Sequence, residues 1–262
     1  MKFNRITKDI KEQLFLDSKN MTTKELSIKY NKASSSINQL LRTHNLKSKP
    51  EERRKFDKSF NENIFSKYTE ESCYIAGFIA ADGCIRNDRV LSIKISIVDL
   101  ELLEKISKII GGYKPIIYKN VCSLYINSLQ IINDLKNNFN ITPRKTFTLK
   151  FPIQIPIEFR HHFIRGYFDG DGCIFKTLTN PKKINTSKIK LRYTILGTYD
   201  LLNGILNSLP FENHYKIKPK KNIFYFSLYK NAFNFYTYIY NNYTICLLRK
   251  KEKADNILSA FS

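Results

Sequence analysis

Along most of the chain, apolar residues either recur at helical spacing or alternate with polar residues. Residues 91–97 alternate apolar and polar positions, which predicts a strand with one buried face. Residues 100–110 and 131–139 carry apolar residues at helical spacing, and the glycine pair at 111–112 would end the first of these helices. Residues 188–195 alternate like the first strand. This mixture of helices and strands predicts an α+β fold.

The first 47 residues carry a separate pattern of short amphipathic helices. Thr22 with Glu25 three residues later fits a capping box, which predicts the start of a helix, and Ser34 is predicted to cap the next one. The arrangement is similar to the helix-turn-helix modules of recombinases and sigma-type regulators, whose second helix enters the major groove. The residues expected to face the groove are Ser35, Ser36, Asn38, Gln39 and Arg42. The alternative is a three-helix bundle used for protein contact.

One apolar segment that ends in Asp-Gly-Cys-Ile occurs twice, 89 residues apart. The first copy reads C-Y-I-A-G-F-I-A-A-D-G-C-I and contains Asp82; the second reads F-I-R-G-Y-F-D-G-D-G-C-I and contains Asp171. Small residues would let the two predicted helices pack with their backbones in contact, and those at this interface are Gly77, Ala81, Gly166 and Gly170. The glycine after each aspartate is predicted to end its helix in the left-handed conformation. One such dipeptide is an ordinary turn signal, but a matched repeat is much harder to explain in that way.

Helices packed in this way would bring Asp82 and Asp171 together. A carboxylate at a helix C-terminus meets the negative end of the helix dipole, and two close carboxylates repel each other. A divalent cation removes both penalties, and carboxylate oxygens suit Mg²⁺. The repeat therefore predicts a metal site between the helix ends that takes Mg²⁺, with Mn²⁺ as a substitute.

The two segments resemble the signature helices of the LAGLIDADG homing endonucleases, and the resemblance covers roughly residues 70–255. It implies two pseudo-symmetric αββαββα halves that pack through the paired helices, in a monomer with an internal pseudo-twofold axis. It also implies that Asp82 and Asp171 bind the metal. The sixth position of the motif is Asp169 in the second copy but Ala80 in the first, which predicts asymmetry between the halves. The expected domains are a helix-turn-helix module at 1–47, a basic linker at 48–68, and the two halves at 69–160 and 161–262.

The charge of the chain indicates a polyanionic partner, because 44 Lys and Arg residues against 23 Asp and Glu residues give a net charge of +21. A membrane-spanning segment would need about 20 apolar residues, and the sequence has no such stretch, which favours a nucleic acid; the family resemblance implies that it is double-stranded DNA. Five cysteines without a C-x-x-C pair, and an N-terminus without the apolar core of a secretory signal, predict an intracellular protein that is not secreted. Cys84 and Cys173, which follow the two Asp-Gly pairs, are predicted to be small buried residues.

The faces of the predicted strands that point away from the core would meet phosphates and base edges. In the resembled family these sheets lie along the major groove. The candidate DNA-binding residues are Lys94, Lys119, Asn127, Lys176, Lys188, Lys190, Arg192, Lys216, Lys218 and Lys220. The alternative is an ordinary solvated sheet face. The family often has a basic residue near each active site, and Lys145 and Lys250, near the ends of the two halves, are candidates for that catalytic role, although Val98 occupies the more usual position.

The sequence therefore predicts a site-specific endonuclease that uses a divalent metal to hydrolyse both strands of a DNA target, as homing endonucleases do. One alternative is an intron maturase, which would bind intron RNA on the same fold. Another is a non-catalytic DNA-binding regulator. Regulators of this kind typically lose the acids, whereas this chain keeps both Asp82 and Asp171.

Overall fold

The computed structural model describes residues 7–49, 59–178, 189–212 and 214–259. The chain divides into two compact units, Met1–Lys55 and Phe56–Ser262. Within the described ranges, no helix is long and apolar enough to cross a membrane.

The N-terminal unit is a small helical bundle with its own core. Its helices are α1 (Lys8–Ser18), α2 (Thr23–Lys29) and α3 (Ser34–Thr43). The predicted capping box is confirmed, because the Thr22 side chain accepts a hydrogen bond from the Glu25 backbone N–H while the Glu25 carboxylate accepts from the Thr22 N–H. The residues buried in this core are Leu14, Leu26, Ile37 and Leu41. Apolar burial on one side of each short helix leaves its polar side exposed.

The first half of the larger unit has the predicted order αββαββα. Its elements are α4 (Glu70–Asp82), β1 (Gly83–Arg86), β2 (Val90–Ser96), α5 (Leu100–Ile110), β3 (Ile116–Tyr118), β4 (Val121–Asn127) and α6 (Leu129–Phe139). The four strands form an antiparallel sheet in the order β1-β2-β4-β3. Leu91 and Ile93 of β2 and Leu124 and Ile126 of β4 are buried, so one face of this sheet packs on the core.

The second half repeats this order and adds a helix at its end. Its elements are α7 (Ile157–Asp171), β5 (Gly172–Leu178), β6 (Ile189–Gly197), α8 (Tyr199–Asn207), β7 (Lys218–Lys220), β8 (Ile223–Leu228), α9 (Ala232–Ile239) and α10 (Leu248–Leu258). Its sheet has the corresponding order β5-β6-β8-β7. At the place of α10, the first half has a short 3₁₀ turn at Lys145–Phe147. The pseudo-symmetric halves are thus confirmed, with different elements following their last shared helix.

Helices α4 and α7 pack with their backbones in direct contact. A Cβ atom on Gly77 would overlap the carbonyl oxygen of Phe163, and one on Gly166 would overlap that of Tyr74. A Cβ on Gly170 would overlap the side chain of Ala81. The predicted role of these small residues at the helix interface is confirmed, and the close crossing brings the last turns of α4 and α7 side by side.

The glycines that follow the two aspartates do not adopt the left-handed conformation that the sequence predicted. Gly83 has φ −81° and ψ 152°, and Gly172 has φ −88° and ψ 154°, so each begins a strand directly. A glycine is still required at these positions, because a Cβ on Gly83 would lie 2.6 Å from Cγ2 of Ile79, and one on Gly172 would overlap the ring of Phe168. The helix therefore turns into the strand without a separate loop.

The prediction that Cys84 and Cys173 are buried was wrong, since both are exposed. Because each strand starts at the preceding glycine, the cysteine points to the face opposite the core. Cys84 pairs with Ser92 in the sheet, and Cys173 pairs with Thr194. Side chains alternate between faces along a strand, so an error of one residue in the start of the strand reverses the prediction.

The predicted linker at 48–68 ends earlier than expected. Phe65 is fully buried and Ile64 is buried in the core of the larger unit, where the Phe65 ring lies 5.9 Å from that of Phe139. At the other end, the Lys49 N–H donates to the carbonyl oxygens of Ser18 and Met21, so this residue belongs to the N-terminal unit. Residues 50–58 lie outside the described ranges.

Candidate active site

The carboxylates of Asp82 and Asp171 meet at the ends of the paired helices. A Cβ atom on Gly170, the residue before Asp171, would lie 3.0 Å from Oδ2 of Asp82. Both aspartates are exposed to solvent, although the residues that precede them in α4 and α7 are almost all buried. The helix crossing therefore places two acids at the surface, beside each other and between the two sheets.

The surroundings of both acids favour their neutral forms. Desolvation raises the pKa of Asp82, and repulsion from Asp171 raises it further, while Lys250 and Lys145 oppose the shift. Desolvation likewise raises the pKa of Asp171, against the opposing effects of Lys145 and Tyr167. A bound cation would relieve the cost of keeping both carboxylates ionised.

Tyr167 is part of this site although the sequence analysis did not select it. Its hydroxyl donates to the carbonyl oxygen of Leu196 at 2.9 Å. The hydroxyl also lies close to Asp171, where it moderates the rise in the pKa of that acid. The repeat held one signal for this role, because the second copy has Tyr167 where the first has Phe78.

A cleft of about 400 Å³ opens next to Asp171. Residues from both halves line it, and those nearest the acid in the fold include Lys145, Tyr167, Gly170 and Cys173. The Lys145 Nζ donates to the carbonyl oxygen of Ala81 at 3.3 Å. Lys145 lowers the pKa of Asp171 more than any other group does, although this lysine comes from the opposite half. Lys145 is therefore placed as the sequence predicted, beside the acids.

Lys250 also reaches the helix ends, but it is buried. Its Nζ lies 2.8 Å from the carbonyl oxygen of Phe168, 2.6 Å from that of Asp169, 3.2 Å from that of Gly170 and 2.6 Å from that of Gly172. These carbonyls belong to the last turn of α7 and the residue after it. The ammonium group thus contacts the backbone that holds Asp171.

A buried polar network lies behind the acids in the second half. Asp169 is 1% exposed, and its Oδ2 accepts from the Tyr74 hydroxyl at 2.8 Å and from the Leu247 N–H at 2.7 Å. Burial raises the pKa of Asp169 to about 6, against the opposing effect of these two bonds. Its counterpart in the first half is Ala80, which has no carboxylate, so this network is one difference between the two halves.

Among the described residues no group of three or more His, Cys, Asp or Glu side chains is arranged to hold a metal ion. The donors that the two helix ends offer to a cation are the carboxylates of Asp82 and Asp171. This donor set fits Mg²⁺, which is usually bound through one or two carboxylates and keeps waters or substrate phosphates in its other positions.

No family model matches this chain, and no curated protein does. The structure is similar to that of the LAGLIDADG meganuclease I-AabMI bound to uncleaved DNA, with a TM-score of 0.55 and 15% identity over 71% of this chain and 88% of that one. It is also similar to I-CpaMI bound to uncleaved DNA, with a TM-score of 0.52 and 14% identity over 74% of this chain and 90% of that one. The chain has the LAGLIDADG meganuclease fold.

The sheet of the first half has an open face, which is the face that points away from the core. The register pairs Lys94 with Ser123 and Val90 with Asn127, so the exposed Lys94 and Asn127 lie on that face. The Lys94 ammonium lies 5.9 Å from the Tyr125 ring, and the exposed Lys119 occupies the turn between β3 and β4. Arg86 is exposed on the same face, where it pairs with Val90; it was not among the predicted DNA-binding residues because the sequence pattern did not show which residues form β1.

The open face of the second half carries Arg192, Lys218 and Lys220. The Arg192 guanidinium lies 4.7 Å from the ring of its cross-strand partner Phe175, and the two lysines are exposed on β7. The exposed Lys216 lies just before that strand.

Three further candidates from the sequence have different outcomes. Lys176 pairs with Leu191, which is buried in the core, so it lies on the opposite face from Arg192. The sequence placed Lys176 with the DNA-facing residues because it took basic character alone as the criterion, whereas the register decides the face. Lys190 lies in β6, and Lys188 is outside the described residues.

In the N-terminal unit, the five residues predicted to face DNA are all exposed on α3: Ser35, Ser36, Asn38, Gln39 and Arg42. The Asn38 side chain accepts a hydrogen bond from the Thr23 hydroxyl at 2.9 Å, so it also links α3 to α2. The placement leaves a polar surface on α3, beside the buried Ile37 and Leu41.

Proposed function

We propose that this protein is a metal-dependent endonuclease that cuts both strands of a specific double-stranded DNA site. The observation that carries the proposal is the meeting of Asp82 and Asp171 at the open end of a helix pair. The net charge of +21 supports a polyanionic substrate. The LAGLIDADG fold adds support, since solved neighbours with this fold are meganucleases bound to DNA.

The two carboxylates are the proposed ligands of the catalytic metal, Mg²⁺ or Mn²⁺. When bound, such a cation supplies a Lewis acid for the phosphate and lowers the pKa of a coordinated water. Because the protein offers few other ligands here, substrate phosphates would complete the site. Lys145 lines the same cleft and would add positive charge close to a phosphate. The Tyr167 hydroxyl lies close to Asp171 and would help to keep that acid ionised.

The open sheet faces are the proposed DNA-binding surfaces. The residues assigned to this contact are Arg86, Lys94, Lys119, Asn127, Arg192, Lys216, Lys218 and Lys220. Exposed basic groups contact phosphates and can also donate to guanine, while the Asn127 amide can both donate to and accept from adenine. Lys188 and Lys190 stay candidates on sequence grounds alone.

The N-terminal unit is proposed to bind DNA as a second module through α3. Its exposed residues Gln39 and Arg42 have side chains that suit base edges and phosphates. Tethering would raise the effective concentration of the nuclease unit near its site. We further propose that the protein is a monomeric, intracellular enzyme that promotes the homing of an intron or of a free-standing gene.

Cleavage of a randomised duplex library in Mg²⁺ tests the central proposal. We expect double-strand cuts at one set of related sites. These cuts should require the metal, because both acids are needed to hold it. Asp82→Asn and Asp171→Asn are each expected to lower cleavage by at least about 100-fold while leaving duplex binding intact. An exposed acid outside the site, in the variant Glu101→Gln, serves as the control.

Two results would contradict the nuclease proposal. Tight, metal-independent duplex binding without cutting would indicate a regulator. Binding to structured intron RNA, without any preference for duplex DNA, would indicate a maturase.

A further inference from the structure

Lys145 and Lys250 are structural counterparts in the two halves. Lys145 donates to the carbonyl oxygen of Ala81, and Lys250 reaches that of Gly170. Ala81 and Gly170 are equivalent in the repeat, because each immediately precedes the aspartate of its helix. Each lysine therefore approaches the end of a signature helix from the C-terminal part of its own half.

The two lysines differ in how completely the protein uses their hydrogen-bond donors. The Lys250 ammonium has three donors, and four backbone carbonyls lie within 3.2 Å of it. It is only 8% exposed. The last carbonyls of a helix have no partner within the helix, and the extended Gly172 does not provide the usual left-handed cap. The lysine takes the place of that cap.

Hydrogen bonds in both directions form a clamp between α7 and the start of α10. The Asp169 side chain accepts from the N–H of Leu247, the residue just before α10, while Lys250 in the first turn of α10 donates to the Asp169 carbonyl. Tyr74 of α4 donates to the same carboxylate, so the helix of the first half is tied in as well. The first half has Ala80 at this position and a 3₁₀ turn around Lys145, so it lacks an equivalent clamp.

Lys145 makes one long hydrogen bond within the described residues, at 3.3 Å. It is half-buried, and it lines the cleft next to Asp171. Its ammonium group therefore retains donors for a phosphate bound in this cleft.

From this contrast we infer that Lys250 is a positioning residue, which caps α7 and so fixes Asp171, whereas Lys145 alone contacts the substrate. The inference rests on the proposed function, because it divides roles within the same site. It predicts that the two halves contribute unequally to the active site. The second half supplies a rigidly held acid, and the first half supplies the lysine ammonium group that faces the substrate.

Amine acetylation of the folded wild-type chain tests the burial of Lys250 without metal or DNA. The extent of labelling at Lys145, Lys250 and Lys150 would be read by mass spectrometry, with the exposed Lys150 as the reference. We expect Lys250 to be labelled at least about 10-fold more slowly than Lys145, because its ammonium is engaged by carbonyls. Equal labelling of the two would overturn the inference.

The variants Lys250→Met and Lys145→Met separate positioning from contact. Lys250→Met leaves several carbonyls without a donor and should raise the unfolding equilibrium constant about 100-fold. It should also weaken Mn²⁺ binding, measured by electron paramagnetic resonance, about 10- to 100-fold, as the loss of other supporting groups does. Lys145→Met should keep its stability and its Mn²⁺ affinity but cut DNA about 100-fold more slowly.

The inference would be contradicted if Lys250→Met kept wild-type stability and Mn²⁺ affinity but cut DNA slowly. Such a result would show that Lys250 acts on the substrate. If Lys250→Met does not fold, the acetylation rates of the wild type still test whether the Lys250 ammonium is engaged by the carbonyls. A wild type that neither binds Mn²⁺ nor cuts DNA would refute the proposed function, while the labelling and the unfolding measurements would still test the helix cap.

Discussion

A hydrogen atom in place of a side chain at Gly166 sets the distance between α4 and α7. The space that a Cβ would need is occupied by the carbonyl oxygen of Tyr74, and Gly77 meets that of Phe163 in the same way. Backbone atoms in a packed helix pair cannot move aside as a side chain can. The separation of the two carboxylates at the helix ends therefore depends on these two glycines.

Replacing Gly166 by Ala should destabilise the larger unit by about 3 kcal/mol, because overpacking outweighs the better helix propensity of alanine. Urea unfolding would measure the change. Lys108→Ala at an exposed position of α5 is the control and should stay within about 0.5 kcal/mol of the wild type. A neutral Gly166→Ala would mean that the helices are not in backbone contact.

His162 couples stability to pH. It is 5% exposed, and its Nδ1 accepts a hydrogen bond from the Arg165 guanidinium at 2.8 Å, so the ring is neutral. Desolvation, and then repulsion from Arg165, lowers the pKa of His162 to about 3. In the unfolded chain the pKa would be about 6.5, so the stabilisation is present above that pH and is lost as the pH falls toward 3.

His162→Asn keeps an acceptor for Arg165 but cannot titrate. The stability advantage of the wild type over this variant should shrink by up to about 1.4 kcal/mol per pH unit below about pH 6. Denaturant unfolding between about pH 7.5 and 4.5 would measure it, and the linkage of Asp169 cancels in the difference. A constant difference across this range would refute the neutral, buried histidine.

At the scale of elements, α10 connects the two halves as well as capping α7. Arg249 in its first turn forms a bidentate ion pair with Asp99 of the first half, at 2.6 and 3.0 Å. Asp99 is 8% exposed, whereas the Arg249 side chain is 56% exposed. One short helix thus carries adjacent residues with different tasks: Arg249 links the halves, and Lys250 contacts the helix of its own half.

A double-mutant cycle on Arg249→Ala and Asp99→Ala should give a coupling free energy of about 1 kcal/mol, since the exposure of the arginine screens the pair. The matched control is the exposed pair of Lys150 and Asp200, which are 3.8 Å apart and should couple by less than about 0.3 kcal/mol. Equal couplings would show that the geometry of the Arg249 pair adds nothing.

At the scale of the whole molecule, the position of each positive charge matters more than the total. Lys218 and Lys220 are exposed on the open face of the second sheet, whereas Lys176 lies on the other face of the same sheet. All three contribute equally to the net charge. If the open faces bind DNA as proposed, Lys218 and Lys220 would contact it and Lys176 would not.

Salt titrations of duplex binding should separate these lysines. Each lost phosphate contact lowers the slope of log K against log salt concentration by about 0.9, so Lys218→Ala with Lys220→Ala should lower it by about 2. Lys176→Ala is the control and should leave the slope unchanged. Fluorescence anisotropy would provide the measurement, and a loss of slope in Lys176→Ala as large as in the other two would place DNA on a different face.

The repeated segment made the fold and the acid pair predictable from the sequence. Gly77, Gly166 and the two aspartates keep their spacing in both copies, so two equivalent helices and their meeting ends follow from local pattern alone. The tasks of most other residues around the acids were not predictable in this way. Tyr167, Asp169 and Lys250 acquire their roles from partners that lie far away in the sequence, such as Leu196 and Leu247.

Apolar spacing and the repeat are local signals. Most helices and strands, the shared plan of the two halves and the pair of facing acids were therefore predictable from the amino-acid sequence. The three-dimensional fold was needed to show which side of a sheet Lys176 and Cys84 occupy, and which lysine is buried against carbonyls. Sheet register and helix capping depend on contacts between distant segments. A shift of one residue at the start of a strand is invisible in composition, but it moves every side chain of that strand to the other face.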